Sequence, residues 1–114
     1  ILILGLSFKE NTDDIRETRT LPIVKYLKNK AKIYLYKDLG YSLFCKKILQ
    51  GKNVIYLSNF KNQTFNSLVI MNKNKKYVEI AKNLIKRNPK MTIFDVRGLL
   101  KFKDYVKINN YYRY

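Results

Sequence analysis

The sequence predicts an α/β domain, a Rossmann-like three-layer sandwich built around a mainly parallel sheet. Short apolar runs such as Ile1-Leu2-Ile3-Leu4 and Ser67-Leu68-Val69-Ile70-Met71 have the length and character of strands buried on both faces. Between such runs lie segments whose apolar residues recur at helical spacing. The two kinds alternate along the chain, as strand–helix–strand units with parallel strands require.

In order, Ile1–Leu4 is a first strand ending at Gly5, and a polar stretch from Ser7 to Thr20 follows. Ile23, Val24 and Leu27 then share a helical face, with Lys25 and Lys28 opposite. Thr18 or Thr20 suits the cap of this helix, and Pro22 suits its first turn. From Lys32 to Lys37 the pattern alternates, Ile33 and Leu35 against Tyr34 and Tyr36, which predicts a second strand before the turn at Asp38-Leu39-Gly40. Phe44 and Ile48 mark a helix over 41–50 that Gly51 ends, and Asn53–Leu57 reads as a short strand. The polar segment 59–66 has no clear period. Leu68–Met71 is a strand, and Tyr77, Val78, Ala81, Leu84 and Ile85 line one side of a helix stopped near Pro89. Met91–Asp95 and Tyr111–Tyr114 complete the strands. The run Asn72-Lys73-Asn74-Lys75-Lys76 reads as a solvated strand-to-helix loop.

One domain accounts for all 114 residues, and a hydrophobic fraction of 46% is ordinary for a chain with a packed core. No apolar run approaches the roughly 20 residues that span a bilayer. With no histidine and one cysteine, the chain lacks the ligands for a zinc site and the partners for a Ser-His-Asp or Cys-His arrangement. Neither a zinc centre nor such a catalytic arrangement is therefore expected within it. Cys45, beside Phe44 and Ile48 on a predicted helix, reads as a buried structural thiol, and a lone thiol fits a reducing cytoplasm.

The net charge of +16 raises the question of nucleic acid. The cations are 19 Lys and 5 Arg spread along the whole chain, and Lys, Asn, Ile and Tyr together make 53 of 114 residues. All four have A/T-rich codons, so a genome low in G+C accounts for the bias without a functional cause. A nucleotide diphosphate would benefit from the positive field in either case.

In an open parallel sheet, ligands sit beyond the carboxyl ends of the strands. Two segments occupy that position: the loop holding Phe8, Lys9, Asp13, Asp14 and Arg16, and Asp95-Val96-Arg97-Gly98. A lysine and an arginine at neighbouring strand ends can clamp a diphosphate, the arginine through paired N–H donors and the lysine as a point charge. Phe8 can pack on a base or sugar face. The dinucleotide pattern G-x-G-x-x-G fails after Gly5, because Ser7 and Glu10 stand at the later glycine positions. Any nucleotide would be held by side chains.

The run Gly5-Leu6-Ser7-Phe8-Lys9-Glu10-Asn11-Thr12-Asp13-Asp14-Ile15-Arg16-Glu17-Thr18 closely resembles the opening of the C-terminal domain in the UDP-glucose/GDP-mannose dehydrogenase family, G-L-x-F-K-x-x-T-D-D-x-R-x-S. Ile93-Phe94-Asp95-Val96-Arg97-Gly98 resembles that family's later strand followed by D-x-R. The likeness extends over the chain in element order, though only these two segments are specific. It implies a single UDP-sugar-binding domain over residues 1–114, the C-terminal part of a longer enzyme that oxidises the C6 alcohol of a nucleotide sugar to a uronic acid for surface polysaccharide. It also implies that NAD is held mainly by an N-terminal domain and that the catalytic cysteine belongs to a central region, neither of them in this chain. By the same resemblance Phe8, Lys9 and Arg97 contact the UDP-sugar, Arg16 reaches toward NAD, and the remaining dehydrogenase domains and a second copy of the enzyme are partners.

Each residue has a plainer reading beside this one. Lys9 is one lysine among 19, Phe8 suits a core, and Arg16 can brace its loop by pairing with Asp13, Asp14 or Glu17. Phe-Lys-Glu-Asn, and glycine after D-x-R, are closer to family members that act on N-acetylhexosamine nucleotides. Two departures, Asn72-Lys73-Asn74-Lys75 where threonine and acidic residues are common and the absence of closing glycines, leave a degenerate, non-catalytic copy as one alternative. A basic nucleic-acid-binding module is the other.

Overall fold

A computed structural model describes residues 1–48, 53–105 and 110–113. Six strands, β1 (Leu2–Leu4), β2 (Ile33–Tyr36), β3 (Val54–Leu57), β4 (Ser67–Ile70), β5 (Thr92–Asp95) and β6 (Tyr111–Arg113), form one sheet in the order β3-β2-β1-β4-β5-β6. Every neighbouring pair is parallel. The helices are α1 (Thr20–Leu27), α2 (Tyr41–Lys47), α3 (Lys76–Arg87) and the single turn α4 (Phe102–Tyr105). The expected α/β sandwich is present, with a sheet that is parallel throughout its described strands. None of the described helices is long and apolar enough to cross a membrane.

Alternation along β1 divides the core in two. Leu2 and Leu4 join Leu68, Ile70, Ile93 and the Tyr77, Ala81 and Leu84 face of α3. Ile3 points the other way, to Ile33, Leu35, Val24 of α1 and Phe44 of α2. Each fully buried aliphatic side chain contributes about 1.5–3 kcal/mol relative to exposure, so the central strand, sealed on both faces, anchors the fold. The unassigned segment 59–66 covers part of the sheet where a helix would lie in a regular doubly wound fold. It seats Phe65 in the α3-side core with Phe60 beside it, and Arg87 holds the Phe60 carbonyl at 2.6 Å.

Three readings of the sequence need correction. Arg19, the residue before α1, makes no side-chain cap; of the two threonines, Thr18 meets the helix start, its Oγ accepting the Thr20 amide at 3.3 Å, and Thr20 does not cap it. The hydroxyls of Thr18 and Thr20 donate to the carbonyls of Leu6 and Gly5, each at 2.6 Å, because the polar loop must be tied back to the end of β1. Cys45 is exposed, not buried. Phe44 takes the inward position on α2, and Cys45, the next residue around, turns outward, where its thiol donates to the Ser42 carbonyl. The loop after β4 is not simply solvated, since Asn72 and Asn74 are buried while Lys73, Lys75 and Lys76 face water. Asn72 Oδ1 accepts the Asn74 amide and Asn74 Oδ1 accepts the Lys76 amide, a relay that starts α3. The helix stop expected at Gly51 lies outside the described residues; α2 ends at Lys47 and Ile48 is extended.

Candidate functional site

Strand order reverses direction between β1 and β4, so the crevice of this sheet opens beyond Leu4 and Ile70. At Gly5 the backbone turns with φ of +102°, and a Cβ there would lie 3.0 Å from the Asn72 amide group. Only glycine meets both conditions without strain. Asn72, in turn, donates from Nδ2 to the Ser7 carbonyl at 3.4 Å, joining the loops after β1 and β4 across the crevice.

The loop after β1 is a built structure. Ile15 plugs it into the core shared by α1 and α2. Ser7 Oγ donates to the Lys9 carbonyl at 2.5 Å, and Thr12 Oγ accepts the Asp14 amide at 3.1 Å. Asn11 and Glu17 both adopt positive φ, 58° and 57°, which folds the segment back on itself. Arg16 Nε and Nη2 donate to the two oxygens of Asp14, at 3.0 and 2.8 Å. That hydrogen-bonded guanidinium holds the Asp14 carboxyl down at a pKa of about 2. Arg16 is thus a loop brace that still leaves 86% of its side chain exposed.

This loop encloses a pocket of about 580 Å³ lined by Phe8, Lys9, Glu10, Thr12, Asp14, Arg16 and Glu17. A much smaller cleft, about 10 Å³, lies between Ser7, Phe8, Arg19, Thr20, Met71, Val96 and Arg97. Phe8 is half-buried and lines both, so the two openings are contiguous. Of the residues singled out in the sequence, Phe8, Lys9 and Arg16 meet in the loop pocket, while Arg97 meets Phe8 in the cleft.

Arg97 is positioned by its neighbour. Asp95 ends β5 fully buried, accepting the Leu99 amide at 2.9 Å and, through Oδ2, the Leu100 amide at 2.8 Å and the Tyr111 hydroxyl at 2.9 Å. The carboxylate thereby shapes the turn from which Arg97 projects into solvent. Gly98, with φ of +63°, lies under the Arg113 guanidinium and has no room for a Cβ.

Sequence reading missed three contributors. Arg19 escaped notice inside a polar stretch; its signal was an arginine directly before a helix. Asn72 was legible only as part of a basic run. Asp38, read as a turn residue, sits nearly buried at the end of β2, with Lys76 Nζ on Oδ1 at 2.6 Å and the Tyr77 hydroxyl on Oδ2. Burial and the bond to Asp38 push the Tyr77 hydroxyl far up. In dinucleotide-binding sheets an acidic side chain of this kind holds the ribose. Here both oxygens are already engaged.

Residues 2–102 match the UDP binding domain of the UDP-glucose/GDP-mannose dehydrogenase family. The chain belongs to that family. Among curated relatives, the UDP-glucose 6-dehydrogenase of Rickettsia conorii is 40% identical over 60 residues, 52% of this chain and 14% of the relative. The enzyme of the same name from Rickettsia felis is 38% identical over 60 residues, 52% of this chain and 13% of the relative. The matched stretch is therefore a small part of each relative. Membership agrees with the sheet topology and with the strand-end loops in which both family-like motifs lie.

Proposed function

We propose that this chain holds the sugar nucleotide in an NAD-dependent UDP-sugar 6-dehydrogenase, forming its C-terminal domain over residues 1–114. The observation that carries this reading is the placement of Phe8, Lys9 and Arg97 around two contiguous openings at the carboxyl ends of β1 and β5. Lys9 supplies a point charge, Arg97 a planar pair of donors for phosphate oxygens, and Phe8 an apolar surface for the base or sugar. The contribution to catalysis is orientation, fixing the C6 alcohol against groups on another domain.

NAD supplies hydride acceptance in such an enzyme, and the residues here do not build a dinucleotide site by themselves. The glycine pattern stops at Gly5, and the Asp38 oxygens are engaged. Arg16 is this chain's contribution toward NAD: Nη1 makes no hydrogen bond to a described residue, and the side chain is exposed. The remaining dehydrogenase domains and a second copy complete the enzyme, in the cytoplasm, for uronic acid and polysaccharide synthesis. The relatives' names make UDP-glucose the first ligand to try, with UDP-N-acetylhexosamines next.

Mixing the chain with NAD and UDP-glucose is expected to yield no NADH, while UDP-glucose alone shifts the NMR amide signals of residues 7–9 and 96–98. NADH formation by this chain, or shifts confined to other surfaces, contradicts the proposal. Nucleic acid is the less favoured partner. Exposed lysines lie on α1 and α2 on one side of the sheet and around α3 on the other, so they form no single stripe.

A further inference from the structure

We propose that Arg19 is a second guanidinium for the diphosphate of the bound sugar nucleotide, acting with Arg97 at the cleft beside Phe8. The inference rests on the sugar-nucleotide reading of this site and adds a residue to it.

Arg19 and Arg97 line the same cleft, and both are exposed. Neither makes a hydrogen bond or an ion pair among the described residues. The other three arginines are placed differently: Arg16 forks onto Asp14, Arg87 binds the Phe60 and Lys61 carbonyls, and Arg113 packs over Gly98. Two cations that share a small opening repel one another, and a bound anion turns that cost into a gain.

The acidic residues sharpen the point. Half of the chain's eight lie between positions 10 and 17, and three of them, Glu10, Asp14 and Glu17, line the loop pocket. Of the rest, Asp38 is engaged by Lys76 and Tyr77, Asp95 by backbone amides, and Glu79 and Asp104 lie by Lys82. No carboxylate lines the arginine cleft. The loop pocket sets those three carboxylates against two cations, Lys9 and Arg16, whereas the cleft has two guanidinium groups and no carboxylate. A diphosphate is therefore drawn more strongly to the cleft, with Lys9 at its near side, and neutral hydroxyl groups find acceptors in the loop pocket. At about 10 Å³ the cleft cannot engulf a diphosphate, which would lie across its mouth with the two guanidinium groups beneath.

Both arginines are also held in advance. Arg19 lies between Thr18 and Thr20, whose hydroxyls are fastened to the carbonyls of Leu6 and Gly5. Arg97 sits on the turn that Asp95 organises. Fixed backbones lower the ordering cost of binding.

The test is calorimetric titration of the 114-residue chain with UDP, UMP and uridine, for the wild type, Arg19→Ala, Arg19→Lys and Arg97→Ala. Thermal melts check that the exposed substitutions leave the fold intact. Arg19→Ala is expected to weaken UDP about tenfold while changing UMP much less, so that the preference for diphosphate falls; Arg19→Lys restores part of it. An unchanged UDP-to-UMP preference in Arg19→Ala, with Arg97→Ala weakened, overturns the inference and leaves the sugar-nucleotide reading standing. Absence of UDP binding by the wild type overturns both.

Discussion

Arg16 and Asp14 are joined by a two-pronged ion pair, Nε to Oδ1 at 3.0 Å and Nη2 to Oδ2 at 2.8 Å, within the loop that follows β1. The pair gives the family-like motif a structural meaning of its own. Its carboxylate also accepts the Arg16 amide at 2.9 Å, so one side chain fixes both the backbone and the guanidinium of the residue two places on.

Asp14 is ordinarily a group of pKa 3.8 and is held at about 2, chiefly by the side-chain hydrogen bond from Arg16. A depressed carboxyl contributes stability that is fully present above the unfolded value and is lost as pH falls through the folded one. The loop should therefore keep its order down to about pH 4 and lose the brace between there and pH 2. Carbon-detected NMR should report the low value, and Arg16→Ala should return it toward 3.8.

Asp95 should be a stability residue more than a ligand. It is fully buried and satisfies two amides and the Tyr111 hydroxyl. Asp95→Ala leaves these donors without partners and is expected to cost about 3 kcal/mol or more in urea unfolding, with nucleotide affinity falling because the Arg97 turn loosens. A change below about 1 kcal/mol contradicts this role.

Gly5 and Asn72 should be energetically coupled. Gly5→Ala adds a Cβ at φ of +102° and 3.0 Å from the Asn72 amide group. It should destabilise by about 2 kcal/mol or more. In Gly5→Ala with Asn72→Ala the side-chain collision is removed, but the backbone strain and the 3.1 Å approach to the backbone nitrogen of residue 72 are kept, so the two losses should sum to more than the double variant shows. Strict additivity would place the two residues out of contact.

Cys45 should react with a thiol reagent in the native protein about as fast as in urea, since it is exposed on α2. Strong native protection would restore the buried thiol that the helix pattern suggested.

The fold was legible because its strands are short apolar runs and α3 carries an unambiguous apolar stripe at Tyr77, Ala81 and Leu84. Side-chain direction was less so. On a helix as short as α2 a one-residue rotation decides between Phe44 and Cys45, and periodicity alone does not resolve it. The site motifs could be found in the chain, but their partition could not. That Lys9 lines the acid-rich loop pocket while Arg97 shares a cleft with Arg19 depends on how residues 5–19 fold back, through Thr18, Thr20 and two positive-φ residues. Hydroxyls bonded to distant carbonyls leave no periodic signal, and neither does Asn72 reaching Ser7.

The central claim is that strand-end side chains hold a sugar nucleotide, and calorimetry with UDP-glucose on the wild type and on Lys9→Ala/Arg97→Ala tests it most directly. Saturable binding by the wild type, lost in the double variant while its thermal melt is unchanged, is the predicted result. No saturable binding by the wild type, or full affinity in the double variant, contradicts the account.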